Sequence, residues 1–243
     1  MDLDVVLSAR GLDADTLKGR AVVVIDVLRA SSTVVTALSN GARAVIPAAD
    51  LGEAGRLAAM LDPDVSVVGG ERGGEKLAGY AAGNSPLEYG PEVVDRKTVV
   101  LTTSNGTAAM AMARAAASAA IGAFLNADAV SGLVSQAAAH GPGVTLICAG
   151  SGGRVSLEDT LCAGLLVSRV APPEEVARLG DSAQIAHALY RGTESQLARA
   201  LFGAEHTQRL IDLGFADDVT YCARIDAVPV LPVLDDNRIV LAR

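Results

Sequence analysis

Short runs rich in valine and isoleucine alternate with alanine- and leucine-rich stretches of helical period, and this rhythm restricts the fold more than any other feature of the chain. The strand-like runs are Val5–Leu7, Ala21–Val27, Ala44–Pro47, Val65–Val68, Thr98–Thr103, Ala120–Phe124 and Val144–Ala149. Helical patterns follow most of them, at Ser32–Asn40, Leu51–Leu61, Gly106–Ala117, Ala127–His140 and Leu157–Val170. Several runs are apolar at consecutive positions, so both faces of their sheet must be covered. The expectation is an α/β fold, layered α/β/α, with a mostly parallel or mixed sheet. Right-handed crossovers would then set neighbouring strand ends along one common edge.

Beyond Ala171 the texture becomes helical and more charged, and a closing VPVLPVL…RIVLAR reads as strand returning to a sheet edge, where prolines are tolerated. No low-complexity linker interrupts the 243 residues, which read as one compact domain over 1–243 with a helical sub-lobe over 171–220. Half of the residues are hydrophobic, as in a folded globular protein, and a homodimer is allowed by that content without being required. Net charge is −8, there is no Trp and aromatics make up 3%, which argues against a nucleic-acid partner: neither a basic face nor stacking platforms are present. Cys148, Cys162 and Cys222 are odd in number and widely spaced, the usage of free packing thiols in a reducing compartment. The opening MDLDVVLSARGL lacks a basic segment ahead of a long apolar one, and no apolar run approaches about 18 residues, so the chain is expected to be cytoplasmic without a membrane partner.

In open α/β sheets ligands bind beyond the carboxyl ends of the strands. Here nearly every strand ends in small, polar or charged residues. Asp26, Arg29, Ser31, Ser32 and Thr33 follow one strand, and GGERGG, with Glu71 and Arg72, follows another. GNSPLEY supplies Asn84, Ser85 and Glu88, while TTSNGT supplies Thr103, Ser104, Asn105, Gly106 and Thr107. GSGGRVSLEDT closes the series with Glu158 and Asp159.

Each piece also has a plain structural explanation. TTSNGT is either a simple helix cap or an anion cradle in which Gly106 lets backbone approach an oxyanion. Ser156 and Asp159 have capping-box spacing, and first-turn acids need no function. Glu71 and Arg72 could merely pair on an exposed loop, worth about 0–1 kcal/mol. Asp26 and Arg29 are harder to dismiss, because a charge leaving a buried strand needs a partner or ligand nearby. Asp217 and Asp218 read as helix-start acids or as extra metal ligands. His140, His187 and His206 lie in helical segments without metal-ligand spacing and read as ordinary helix histidines. There is no P-loop and no convincing dinucleotide fingerprint. Two arginines with several carboxylates and no His or Cys ligands suit Mg2+ and a phosphorylated anion, the needs of phosphoryl transfer or phosphate-ester hydrolysis.

As a set, IDVLRASSTVVTALSNGA, GGERGG, GNSPLEY, VVLTTSNGT, FLNADAV and ICAGSGGRVSLEDTLCAG resemble the 2-phosphosulfolactate phosphatase family in order and spacing. The likeness runs from Asp4 to about Val170 and resumes at GFADDVTYCARIDAVPVLP. It implies a Mg2+-dependent enzyme of unusual α/β fold that hydrolyses 2-phospho-3-sulfolactate to 3-sulfolactate and phosphate, a step of coenzyme M biosynthesis.

The candidate residues lie in these strings, and their chemistry, not the resemblance, assigns the roles: Asp26, Glu71 and Glu158 are the candidate metal ligands. Asp26 or Asp159 would orient the attacking water or attack phosphorus. Arg29 and Arg72 would clamp phosphate and sulfonate. Ser31, Asn84, Ser85, Thr103, Ser104, Asn105, Gly106 and Thr107 complete the expected phosphate-binding set. The same hydrolysis on another small phospho-hydroxy acid, and a non-catalytic anion-binding protein, are the alternatives.

Overall fold

The computed structural model describes residues 1–141 and 143–242. Ten strands form one sheet: β1 (Leu3–Val6), β2 (Ala21–Ile25), β3 (Ala44–Ala48), β4 (Ser66–Arg72), β5 (Glu75–Lys76), β6 (Thr98–Thr102), β7 (Ser118–Gly122), β8 (Val144–Cys148), β9 (Pro232–Asp235) and β10 (Arg238–Leu241). Their order is β1-β8-β2-β7-β9-β10-β3-β6-β4-β5. The helices are α1 (Ala30–Ser39), α2 (Leu51–Met60), α3 (Pro91–Val94), α4 (Gly106–Met112), α5 (Ala127–His140), α6 (Leu157–Val170), α7 (Pro173–Val176), α8 (Asp181–Thr193), α9 (Leu197–Phe202), α10 (Glu205–Asp212) and α11 (Ala216–Cys222). Among the described residues no helix is long and apolar enough to cross a membrane.

Two parallel blocks make up most of the sheet. In the first, β1, β8, β2 and β7 pair in parallel; in the second, β3, β6 and β4 do so. The C-terminal β9–β10 hairpin joins them through one registered pair on each side, Ala120 with Val233 and Ile239 with Val45. The expected edge placement thus takes a particular form: β9 flanks the edge of one block and β10 that of the other. Pro232 opens its strand, where a missing N–H costs the ladder little.

Because β9 and β10 are antiparallel to each other and to their outer neighbours, the two blocks run in opposite senses across the sheet. The expected single edge of strand ends is therefore not what forms. The loops of the two blocks meet instead around α1 and α4, which touch strands of both.

The β2 sequence AVVVI explains the layering, since it is buried throughout. Val23 and Ile25 enter one core with β1, β8, α5, α6 and α8, whereas Val22 and Val24 enter another with α1, α4, β3 and β6. Ala48 and Val100, on the far side of the second block, pack under Ala54 and Leu57 of α2. Each block is thus an α/β/α sandwich, and the two share the middle helical layer. Fully burying each such valine or isoleucine contributes about 1.5–3 kcal/mol. Helices after Ala171 join the first core through Val176, Ala183, Ala186, Tyr190, Leu201, Leu210, Val219 and Cys222. All three cysteines are buried and free.

Candidate active site

A cavity of about 220 Å³ opens where the loops of both blocks meet α10. Its wall takes Asp26, Leu28 and Arg29 from the end of β2, and Glu71, Gly73 and Gly74 from the β4–β5 turn. Asn84, Ser104, Asn105, Ser151 and Gly152 come from later loops, and α10 adds His206, Arg209 and Leu210. A second cavity of about 380 Å³ adjoins it, sharing Ser151, His206 and Arg209, and carries Glu158 on its wall.

The GGERGG segment is not the free loop its glycines suggest. Strand β4 runs through Glu71 and Arg72, then turns at Gly73 and Gly74 into β5. Those two glycines have φ of 65° and 99°, a left-handed conformation that side chains disfavour. Glu71 staples the turn to the loop after β6: its Oε1 accepts the Ser104 N–H (2.6 Å), and Oε2 accepts the Gly74 N–H (2.7 Å) and the Ser104 hydroxyl (3.1 Å). Arg72 turns away from both cavities, donating to the Glu71 carbonyl (2.6 Å) and to Thr102 Oγ1 (3.0 Å).

Asp26 is buried at the mouth of β2. Its backbone N–H donates to Ser31 Oγ (2.9 Å), and its Oδ1 accepts the Ala30 N–H (3.2 Å), so Ser31 holds the turn and does not line the cavity. Burial raises the Asp26 carboxyl to about 6, with Glu71 and Glu158 adding to the rise while His206 and the Ala30 N–H oppose it. Gly106 makes room for this carboxylate, because a Cβ there would collide with Asp26 Oδ2 and lie 2.6 Å from the Ala30 Cβ.

The TTSNGT loop caps α4 with its own threonines. Thr103 Oγ1 accepts the Thr107 N–H (3.1 Å), and Thr107 Oγ1 accepts the Thr103 N–H (3.0 Å). The amides of Thr103, Ser104 and Thr107 are thereby committed inside the protein. Ser104 and Asn105 reach the cavity, and Asn105 Oδ1 also accepts the Gly152 N–H (3.3 Å), linking the two blocks.

Arg29 lies at the cavity wall with its side chain 2% exposed. It donates to Asp218 Oδ2 (2.7 Å) and to the Gly74 carbonyl (2.6 Å), and stacks 4.0 Å from the Phe215 ring centroid. Asp218 Oδ1 accepts the Ser85 hydroxyl (2.6 Å), which keeps Ser85 off the cavity wall. Asp218 is therefore an ion-pair partner and not a spare metal ligand, and Asp217 is exposed.

Asp159 does not line the cavity. Its two oxygens accept the Val27 and Gly150 N–H groups (2.9 and 3.1 Å), tying the ends of β2 and β8, while Ser156 Oγ caps α6 by accepting the Asp159 N–H (3.2 Å). Burial first, then Asp26 and Glu158, push its carboxyl well above the ordinary range. Glu158 is turned onto His206, with Oε1 2.7 Å from Nδ1 and Oε2 buried without a hydrogen-bond partner. Burial draws the His206 pKa down, but the hydrogen bond and charge of Glu158, with the charge of Asp26, outweigh it and leave the pKa raised.

His206 is thus a wall residue of the cavity and not an ordinary helix histidine. Neither it nor Arg209 stands out in the sequence, which shows only a His and an Arg three apart on a charged helix. That spacing, which places both on one face of α10, is the sole hint.

Asn84 Oδ1 is another buried orphan, an acceptor on the cavity wall with no donor. Among the described residues no three His, Cys, Asp or Glu side chains converge as a metal-ligand group. An ion at this wall would have to draw on one or two carboxylates, the Asn84 oxygen, water and substrate oxygens. That donor set fits Mg2+, which keeps waters and shares phosphate oxygens.

A family model for 2-phosphosulpholactate phosphatase matches residues 6–237. The chain belongs to the 2-phosphosulpholactate phosphatase family. A probable 2-phosphosulfolactate phosphatase of Symbiobacterium thermophilum is 37% identical over 228 residues, 94% of this chain and 97% of the relative. Those so named from Caldicellulosiruptor saccharolyticus and Clostridium acetobutylicum are 40% identical over 216 residues and 33% identical over 240. They cover 88% of both chains in the first case, and 99% of this chain with 100% of the relative in the second. Membership of the 2-phosphosulpholactate phosphatase family places the chain among phosphoric monoester hydrolases.

Proposed function

We propose that this protein is a Mg2+-dependent phosphatase that hydrolyses 2-phospho-3-sulfolactate to 3-sulfolactate and phosphate, the reaction type of coenzyme M biosynthesis. The observation that carries the reading is one cavity wall on which the Asp26 carboxyl, raised to about 6, stands with Glu71 and the orphan Asn84 oxygen beside Arg29. Glu71 and Asn84, with Asp26 at their side, would hold Mg2+ or its waters. The ion would supply positive charge to the phosphoryl oxygens.

In the reaction the bond from phosphorus to the C2 oxygen breaks, the oxygen of water ends on phosphorus, and a proton reaches the leaving oxygen. Asp26 orients the attacking water and accepts its proton, a task suited to a carboxylate whose pKa approaches neutrality. Arg29 faces the phosphate with the guanidinium N–H groups left over from Asp218 and Gly74. His206, held through Nδ1 by Glu158, offers its ring N–H to the leaving oxygen. Asp159 fixes the ends of β2 and β8 on which Asp26 depends.

The test is phosphate release from racemic 2-phospho-3-sulfolactate with Mg2+ and with EDTA, beside 2-phospholactate and phosphoglycerate. EDTA-sensitive release that prefers the sulfonate and is lost in Asp26→Asn is the expected result. Release from the carboxylate analogues alone would keep the chemistry and change the substrate, and tight binding without release would make the protein an anion binder.

A further inference from the structure

We propose that Arg209 binds the sulfonate of 2-phospho-3-sulfolactate and thereby selects this phospho-acid over one without a sulfonate. The inference rests on the hydrolase reading above and names the group that gives it specificity.

Three cationic or potentially cationic side chains line the first cavity: Arg29, His206 and Arg209. Two of them face a carboxylate within the protein, Arg29 on Asp218 and His206 on Glu158. Arg209 has no ion-pair partner among the described residues; its Nη2 donates only to the neutral Gly73 carbonyl (3.1 Å). Its charge is therefore available to a ligand anion. Arg72, the other arginine that the sequence offers for this role, faces Thr102 and lines neither cavity.

Position supports the same assignment. Arg209 lies one helical turn from His206 and, with it and Ser151, borders both the 220 Å³ and the 380 Å³ cavities. The substrate carries its sulfonate on C3, one carbon from the phosphorylated C2, so a phosphoryl group beside Asp26 leaves the sulfonate to project toward a neighbouring wall. The planar guanidinium fork matches the oxygens of a sulfonate and can hold two of them at once.

The experiment compares kcat/KM for 2-phospho-3-sulfolactate and 2-phospholactate in the wild type, Arg209→Gln and Arg209→Lys. Losing a charge-assisted contact should lower kcat/KM on the sulfonate substrate by about 10- to 100-fold in Arg209→Gln, mainly through KM. The loss on phospholactate should be much smaller, so the selectivity ratio falls at least about tenfold. Arg209→Lys, which keeps the charge without the fork, should lie between. Equal losses on both substrates would overturn the proposal, because Arg209 would then serve the phosphate or only brace the Gly73 turn. No loss on either would overturn it as well.

Calorimetric binding of 3-sulfolactate and lactate needs no turnover and separates this proposal from the hydrolase reading. If the wild type releases no phosphate but binds 3-sulfolactate in a manner abolished by Arg209→Gln, the hydrolase reading fails and the sulfonate site stands. If Arg209→Gln binds 3-sulfolactate as the wild type does, the sulfonate site fails whatever the kinetics.

Discussion

Arg29 Nη1 lies 2.7 Å from Asp218 Oδ2, with both side chains almost wholly excluded from solvent, although 189 residues separate them in the chain. Attraction in such a pair only has to balance the loss of hydration, but removing one member leaves the other charge buried alone. Asp218→Ala should lower the free energy of unfolding by about 3–5 kcal/mol, measured by urea denaturation. Replacing both residues with apolar ones should cost less than Asp218→Ala alone. A double variant as unstable as the sum of the single ones would show that the two charges act independently.

Asp26 should make stability depend on pH in a defined direction. The folded protein holds its proton to about pH 6, against an ordinary value of 3.8, chiefly because burial penalises the charged form. Its contribution to folding is therefore complete below about pH 3.8 and is lost as pH rises through about 6. Asp26→Asn removes that loss, so in metal-free buffer at pH 7.5 it should be more stable than the wild type by up to about 3 kcal/mol, with the gain vanishing near pH 4. Urea melts at the two pH values check this, and equal stability at pH 7.5 would contradict the burial penalty.

The sequence already carries the α/β rhythm and the two faces of β2, because consecutive buried valines admit few other arrangements. It also marks Asp26 and Glu71, charges that follow apolar runs. What it does not carry is pairing over distance. Nothing in VPVLPVL says that the final hairpin will join two blocks, since only Ala120–Val233 and Ile239–Val45 register it against them. Asp218 reads as a helix-start acid until Arg29 is seen to reach it. Arg209 and His206 sit on a helix whose polar residues look solvated, and only the docking of α10 against the Gly73–Gly74 turn makes them part of a cavity.

His206 gives a direct readout of the Glu158 contact. Its raised pKa means that this pair favours folding fully below about 6.5 and loses its effect as pH rises through the higher folded value. In Glu158→Gln the imidazole keeps its burial and loses the neighbouring charge, so it should titrate below the wild-type value. NMR titration of the ring protons measures this with His187 as the internal reference. His187, held below its ordinary value by burial and Arg191, should not move. An unchanged His206 titration would mean that the 2.7 Å contact to Glu158 does not form in solution.

Gly106 tests whether the position of Asp26 governs activity. A methyl group there would run into Asp26 Oδ2 and sit 2.6 Å from the Ala30 Cβ, so either the carboxylate or the start of α1 must shift. A displacement near 1 Å at a reacting group costs about 10²-fold in rate, and Gly106→Ala should lower kcat by about that factor while the protein remains folded. Gly55→Ala is the matched control, since α2 has open space at that position. It should stabilise the protein by about 0.5–1 kcal/mol through helix propensity and leave turnover unchanged. Full activity in Gly106→Ala would mean that the start of α1 yields while Asp26 stays in place, or that Asp26 moves without consequence; if a structure of the variant shows the carboxylate displaced, the base would have to be sought elsewhere on the cavity wall.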